Sequence, residues 1–111
     1  MNIPLQISLH GITHSDALYE SIRGKAAKLE RFYDHILSCR VVLEVAARHK
    51  RKGRQYTARI DLKVPGSEIA VTHEHDEDVQ VALRDAFDAA RRRLEDYARV
   101  QRGDVKSHPT G

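Results

Sequence analysis

The sequence is poor in the residues that build disulfide scaffolds, membrane spans and stacking surfaces. It contains one cysteine, Cys39, which excludes an internal disulfide framework and a zinc site made of cysteines alone. No run approaches the ~20 apolar residues of a transmembrane helix, and Met1 leads into no secretory signal. Tryptophan is absent and phenylalanine occurs twice. We therefore expect a soluble protein of a reducing compartment, without a membrane partner.

The composition and charge predict one globular domain with an anionic partner. Hydrophobic residues make up 41% and charged residues 32% of the 111 residues, which excludes a disordered tail. The net charge is +3, from 19 basic and 16 acidic residues, and 13 of the basic residues are arginines. Guanidinium groups suit phosphate and carboxylate partners better than ammonium groups do. We expect the domain to span residues 1–102, with a polar tail or the start of a linker at 103–111.

The periodicity of apolar residues predicts the element order β-α-β-β-β-α. Alternation with period two indicates strands at 2–10, 38–48, 55–64 and 68–73. Helical spacing predicts a helix over 16–32 with Ser15 as its N-cap, and a second helix opened by the acidic cluster 74–78 and ended by Gly103. A sheet with one apolar face and helices with one apolar stripe each close into a two-layer α+β sandwich. Both helices then lie on one face of a four-stranded sheet.

Three basic features lie on three separate elements. The first helix carries cations three residues apart, the last helix carries arginines that a helical wheel places on one outer flank, and the hairpin loop 48–54 contains five cations and no acid. The candidate RNA-binding residues are Lys25, Lys28 and Arg31 on the first helix, Arg84, Arg91 and Arg92 on the last, and Lys50 and Arg51 in the loop. Each feature alone is also compatible with an ordinary solvated surface. The basic loop alone is also compatible with a hairpin whose charges prevent sheets from pairing and aggregating. Taken together, the three features favour binding to a nucleic-acid backbone.

Aromatic residues give little support for reading bases on the sheet. Tyr56 is in phase with the buried residues of its strand, and Phe32 and Phe87 are both expected in the core. An RNA-recognition sheet needs aromatic side chains on its outer face. We therefore expect recognition of the RNA backbone with little direct reading of sequence.

No pattern in the sequence predicts catalysis, a metal or a cofactor. The segment 73–76 places His73 and His75 on one face of an extended chain, but further ligands at a definite spacing are missing. Cys39 has no histidine partner at motif spacing, so a buried or half-buried thiol is expected rather than a nucleophile. Phosphate-cradling glycine loops and triad motifs are absent from the sequence. We expect a protein that is not an enzyme and has no small-molecule substrate.

Several segments carry a family resemblance that covers about residues 2–97. They include Leu5-Gln6-Ile7-Ser8, Lys25-Ala26-Ala27-Lys28-Leu29-Glu30-Arg31-Phe32-Tyr33, Val41-Val42-Leu43-Glu44-Val45, Val64-Pro65-Gly66-Ser67-Glu68-Ile69 and Arg92-Arg93-Leu94. The chain resembles the ribosome hibernation-promoting factors, also called ribosome-associated translation inhibitors, in their short form. Gln80 departs from the family, which usually has tyrosine there, and Ala89 stands where a further lysine is common.

The resemblance implies a cytoplasmic protein, monomeric off the ribosome, that binds ribosomal RNA of the small subunit. Family members occupy the channel for messenger and transfer RNA and hold ribosomes idle. By position, Lys25, Lys28 and Arg31 match the basic ridge of the family's first helix, and Arg92 matches an arginine of its last helix. Two alternatives stay open: a generic binder of structured RNA, and a protein-interaction module that uses the exposed sheet face.

Overall fold

Four strands and two helices follow one another in the predicted order. The computed structural model describes residues 3–47, 54–76 and 78–103. The elements are β1 (Leu5–His10), α1 (Asp16–Phe32), β2 (Ser38–Ala47), β3 (Arg54–Val64), β4 (Ser67–Asp76) and α2 (Val79–Arg102). This order confirms the predicted α+β fold.

The strands form one mixed sheet in the order β1-β2-β3-β4. β1 runs parallel to β2, and the other neighbouring pairs are antiparallel. The register brings Ile7, Val41, Ile60 and Val71 into one row across the sheet. Because side chains alternate along each strand, every second row lies on this apolar face, and the rows between them lie on the opposite face.

Both helices cover this apolar face with their own apolar stripes. α1 buries Leu18, Ile22, Ala26 and Leu29, and these residues join the core formed by α2 and the inner face of the sheet. Ser15 caps α1 by accepting a hydrogen bond from the Leu18 amide at 3.0 Å, as predicted. No helix of the described residues covers the other face of the sheet. This face carries polar side chains such as Arg59, which is paired with Asp61 at 3.1 Å.

The first residues of the acidic cluster 74–78 belong to β4 and do not open the last helix, which corrects the prediction. β4 continues to Asp76, with Glu74 opposite Thr57 in the ladder with β3. The alternation explains this extension: Glu74 is exposed on the outer face, while His73 and His75 lie on the inner face. α2 therefore begins at Val79, capped by the Asp78 carboxylate. At its end Gly103 adopts φ 80°, which confirms the predicted stop.

The two phenylalanines, both expected in the core, differ in burial. Phe32 is 44% exposed, so its assignment to the core is wrong, whereas Phe87 is 5% exposed. Phe32 is the last residue of α1, and a helical wheel places it at the margin of the apolar stripe. No helix among the described residues is long and apolar enough to cross a membrane.

Candidate nucleic-acid interface

The helices α1 and α2 lie side by side and run in the same direction. Near their beginnings the Ser21 hydroxyl donates a hydrogen bond to Oε1 of Gln80 at 3.0 Å. Near their ends the rings of Tyr33 and Tyr97 meet with centroids 5.7 Å apart. The surface between these two contacts is an interhelical groove of about 440 Å³, lined by Lys25, Lys28, Leu29, Arg84, Phe87, Asp88 and Arg91.

This interhelical groove has an apolar floor and basic walls. Leu29 and Phe87 are 4% and 5% exposed, so they form the floor and fix the spacing of the helices. The walls bring together four of the candidate RNA-binding residues, Lys25 and Lys28 from α1 and Arg84 and Arg91 from α2. Cations from separate helices thus face one cleft, as a track for a polyanion requires.

The cations of the interhelical groove differ in how they are paired. Arg91 lies 3.6 Å from Glu95 and Arg84 lies 3.4 Å from Asp85, both in exposed geometry. Within the described part of the chain, no carboxylate forms an ion pair with Lys25 or Lys28. Exposed ion pairs contribute little, about 0–1 kcal/mol each, so a phosphate can displace them. The two lysines therefore keep a charge that no ion pair among the described residues neutralises, although the Asp88 carboxylate lines the same groove. The two arginines can be released to a stronger anionic partner.

The other candidate residues lie outside the interhelical groove. Arg31 is exposed on α1 and does not line the interhelical groove. Each step of three residues, from Lys25 to Lys28 and from Lys28 to Arg31, rotates the side chain by about 60° around the helix. Arg92 lies in a separate depression of about 520 Å³ between α2 and β4, together with His73, Arg93 and Asp96. Arg92 follows Arg91 by one residue, a rotation of about 100°, which carries it to the other side of α2. Lys50 and Arg51 lie outside the described residues.

The prediction that all outer arginines of α2 share one flank is therefore wrong. Arg84 and Arg91 face α1, whereas Arg92 faces β4 and stands beside Asp96. Asp96 also pairs with Arg99. Arg93 was not among the candidate residues, although its position directly after Arg92 was a usable signal.

The histidines and the cysteine do not form a reactive centre in the described chain. His73 and His75 share the inner face of β4, opposite Ala58 and Tyr56, and no three potential metal ligands are grouped among the described residues. Burial, with a smaller contribution from the charge of Asp61, raises the pKa of the Cys39 thiol to about 12. The thiol is therefore protonated and enclosed, which confirms the expectation of a buried cysteine.

Comparison with known proteins identifies the family to which this arrangement belongs. The family model described as Sigma 54 modulation protein / S30EA ribosomal protein matches residues 5–102. The chain belongs to this family. The match confirms the resemblance predicted from the sequence, and it covers both helices that form the interhelical groove. No curated protein sequence gives a significant match to the chain.

Solved structures similar to this S30EA-family chain include two bacterial proteins. The N-terminal domain of Thermus thermophilus Protein Y superposes with a TM-score of 0.72 at 26% identity, covering 87% of this chain and 99% of that one. A ribosomal subunit interface protein from Coxiella burnetii also gives a TM-score of 0.72, at 20% identity, covering 86% of this chain and 98% of that one. The second likeness shows the fold alone.

Proposed function

We propose that this S30EA-family chain is a ribosome-associated inhibitor of translation that acts in the cytoplasm as a hibernation factor. It binds ribosomal RNA of the small subunit in the channel for messenger and transfer RNA, and it is monomeric off the ribosome. Membership in a family described as S30EA ribosomal protein supports association with ribosomes. The observation that carries the RNA contact is the interhelical groove, where Lys25 and Lys28 face Arg84 and Arg91.

The interhelical groove fits an RNA backbone better than a small anion. Its cations come from two parallel helices and extend along each of them, from Lys25 to Lys28 and from Arg84 to Arg91. An elongated row of charges follows successive phosphates, and each neutralised phosphate releases condensed counterions. The apolar floor at Leu29 and Phe87 keeps the two walls at a fixed separation.

The sheet leaves little means for reading bases, so the proposal rests on backbone contacts. The inner face is covered by both helices, and Tyr56 lies in its ladder opposite Val45. Among the described residues, the outer face carries no phenylalanine, tyrosine or tryptophan; its rows contain Gln6, Arg40, Asp61 and Ala70, then Ser8, Val42, Arg59 and Thr72. Recognition then depends on the shape of a folded RNA rather than on its sequence.

Co-sedimentation with purified small ribosomal subunits tests this function. The variant Lys25→Gln/Lys28→Gln removes two charges from the interhelical groove, and Arg40→Gln/Lys63→Gln removes the same charge from the exposed outer face of the sheet. We expect the groove variant to lose about tenfold in affinity or more, since a hydrogen bond to a charged group contributes about 1.5–3 kcal/mol. The sheet variant should bind like the wild-type chain. Added messenger and transfer RNA should displace the wild-type chain.

The same experiment separates the alternatives. Absence of the wild-type chain from the ribosomal fractions at low and physiological salt would contradict the proposal. Equal affinity for any duplex RNA, with no competition by messenger or transfer RNA, would indicate a generic binder of structured RNA. Loss of binding in the sheet variant but not in the groove variant would indicate a protein-interaction module. In vitro translation with the wild-type and groove variants then measures inhibition directly.

A further inference from the structure

An exposed aromatic side chain extends the basic row of α1 beyond the interhelical groove. Phe32 is the last residue of α1 and is 44% exposed, so its ring is open to solvent. It lies four residues after Lys28 and seven after Lys25, so all three project from adjoining strips of the helix surface. The helix rises about 10 Å between Lys25 and Phe32. Phe32 therefore stands at the end of the track that the lysines form.

Phe32 forms one wall of a small cleft between the ends of the helices. This terminal cleft has a volume of about 330 Å³ and is lined by Phe32, Tyr33, Glu95, Ala98 and Arg99. Its rear wall is fixed, because Tyr33 meets Tyr97 edge to face and the Tyr97 hydroxyl donates to the Pro65 carbonyl oxygen. Among the described residues, no aromatic ring stacks on Phe32 itself. The terminal cleft thus offers an open ring beside a rigid support.

The electrostatics of the terminal cleft favour a neutral, planar group over a phosphate. The C-terminal end of α1 carries partial negative charge from its free carbonyl groups. Glu95 is paired with Arg91 at 3.6 Å and Arg99 is paired with Asp96, so neither side chain contributes a free charge to the cleft. The free carbonyl groups disfavour phosphate, and together with the Glu95 carboxylate they accept hydrogen bonds from amino groups such as those of adenine, cytosine and guanine. The adjoining interhelical groove is where phosphate is attracted.

We propose that the terminal cleft binds one unpaired nucleobase of the RNA, stacked on the ring of Phe32. This inference rests on the proposed RNA contact of the interhelical groove and adds a second kind of contact to it. The phosphates lie along Lys25 and Lys28, and the strand ends in a base that is turned onto Phe32. The sheet has no stacking platform among its described residues, so Phe32 supplies the base contact that the sheet lacks.

Replacement of Phe32 by tryptophan and by leucine tests the stacking. The chain contains no tryptophan, so Phe32→Trp introduces a single indole whose emission a stacked base quenches. Stacking of one base on an aromatic side chain is worth about 1–3 kcal/mol, so Phe32→Leu should weaken binding to small subunits by about 5- to 150-fold. Leu37→Ala is the matched control, because Leu37 is an exposed apolar residue, 52% exposed, outside both clefts. Phe32→Trp should bind at least as tightly as the wild-type chain, with quenched emission.

The outcomes separate this inference from the proposed function. Wild-type affinity in Phe32→Leu, or unquenched emission of Phe32→Trp in the bound state, would overturn the stacking even if the lysine variant confirms the groove. A blue shift without quenching would indicate a protein partner at Phe32 and would also overturn it. Titration of Phe32→Trp with a short mixed-sequence single-stranded RNA gives the same readout without ribosomes. Thermal unfolding of each variant verifies that the exposed substitution leaves the fold intact.

Discussion

Tyr33 and Tyr97 meet edge to face, with ring centroids 5.7 Å apart and ring planes at 89°. The contact joins the end of α1 to the end of α2, and the Tyr97 hydroxyl extends it to Pro65 in the turn between β3 and β4. Near the beginnings of the helices, the hydrogen bond between Ser21 and Gln80 joins α1 to α2 in the same way. The width of the interhelical groove is therefore set at both ends by contacts that do not depend on the RNA.

Removal of the Tyr97 hydroxyl should cost stability without closing the interhelical groove. Tyr97→Phe keeps the ring contact and loses the bond to Pro65, at an expected cost of about 1 kcal/mol in the free energy of unfolding. Tyr97→Ala also loses the edge-to-face contact and leaves a cavity, at a cost of about 3 kcal/mol or more. Urea denaturation measures both values. Equal stability of Tyr97→Phe and the wild-type chain would contradict a role for the hydroxyl.

The interhelical groove includes one carboxylate among its described lining residues, and its removal should tighten RNA binding. Asp88 stands among Lys25, Arg84 and Arg91. We expect Asp88→Asn to raise the affinity for small subunits about two- to fivefold, since a surface charge contributes up to about 1 kcal/mol. Glu44→Gln makes the same change of charge on the exposed outer face of the sheet and should leave affinity nearly unchanged. Weaker binding by Asp88→Asn would show that Asp88 positions the cations instead of opposing the RNA.

The first helix was predicted from sequence with its N-cap and both bounds, whereas the spatial grouping of the candidate RNA-binding residues was not. Ser15 and the apolar spacing are local signals, and local signals suffice to define a helix. Arg91 lines the interhelical groove and Arg92 does not, because one side of α2 faces α1 and another side faces β4. That orientation of α2 is set by packing between distant segments. Phe32 was wrongly assigned to the core, because helical period alone does not say whether a residue at the margin of the apolar stripe is covered.

The extension of β4 shows how one set of residues fits two patterns. The acidic cluster at 74–78 is typical of the beginning of a helix, and Asp78 does cap α2. The preceding residues also continue the alternation of β4, with His75 opposite Tyr56. Pairing with β3 adds ladder hydrogen bonds that a free helix end does not offer, so the strand continues. Nothing local in the sequence distinguishes the two outcomes.

Two glycines should respond to alanine in opposite directions. Gly11 has φ +76°, and a Cβ there would lie 2.9 Å from Cγ1 of Val45. Gly11→Ala should therefore destabilise the chain by about 1–3 kcal/mol. Gly24 lies inside α1, where an added Cβ would have nothing within 4 Å, so Gly24→Ala should stabilise the chain by about 0.5–1 kcal/mol. Thermal unfolding distinguishes these signs, and a destabilising Gly24→Ala would show that the helix surface there is in use.

Alkaline pH should weaken the fold through Cys39. Burial raises the pKa of this thiol from 9.0 to about 12, so in that range the folded chain binds a proton that the unfolded chain has lost. Stability is therefore unaffected below the unfolded pKa and falls as the pH rises above 9.0. The expected contribution is up to about 1.4 kcal/mol per pH unit. Cys39→Ala should have a shallower alkaline slope; an unchanged slope would contradict this assignment.

The dependence of small-subunit affinity on salt tests the central claim most directly. If about six phosphates are contacted, log K should fall with log salt with a slope of about −5. The affinity should then drop roughly a thousandfold between low and moderate salt. Lys25→Gln/Lys28→Gln should reduce the magnitude of that slope by about two, whereas Arg40→Gln/Lys63→Gln should leave it unchanged. A flat profile for the wild-type chain, or equal slopes for the wild-type chain and the groove variant, would contradict an RNA backbone held between α1 and α2.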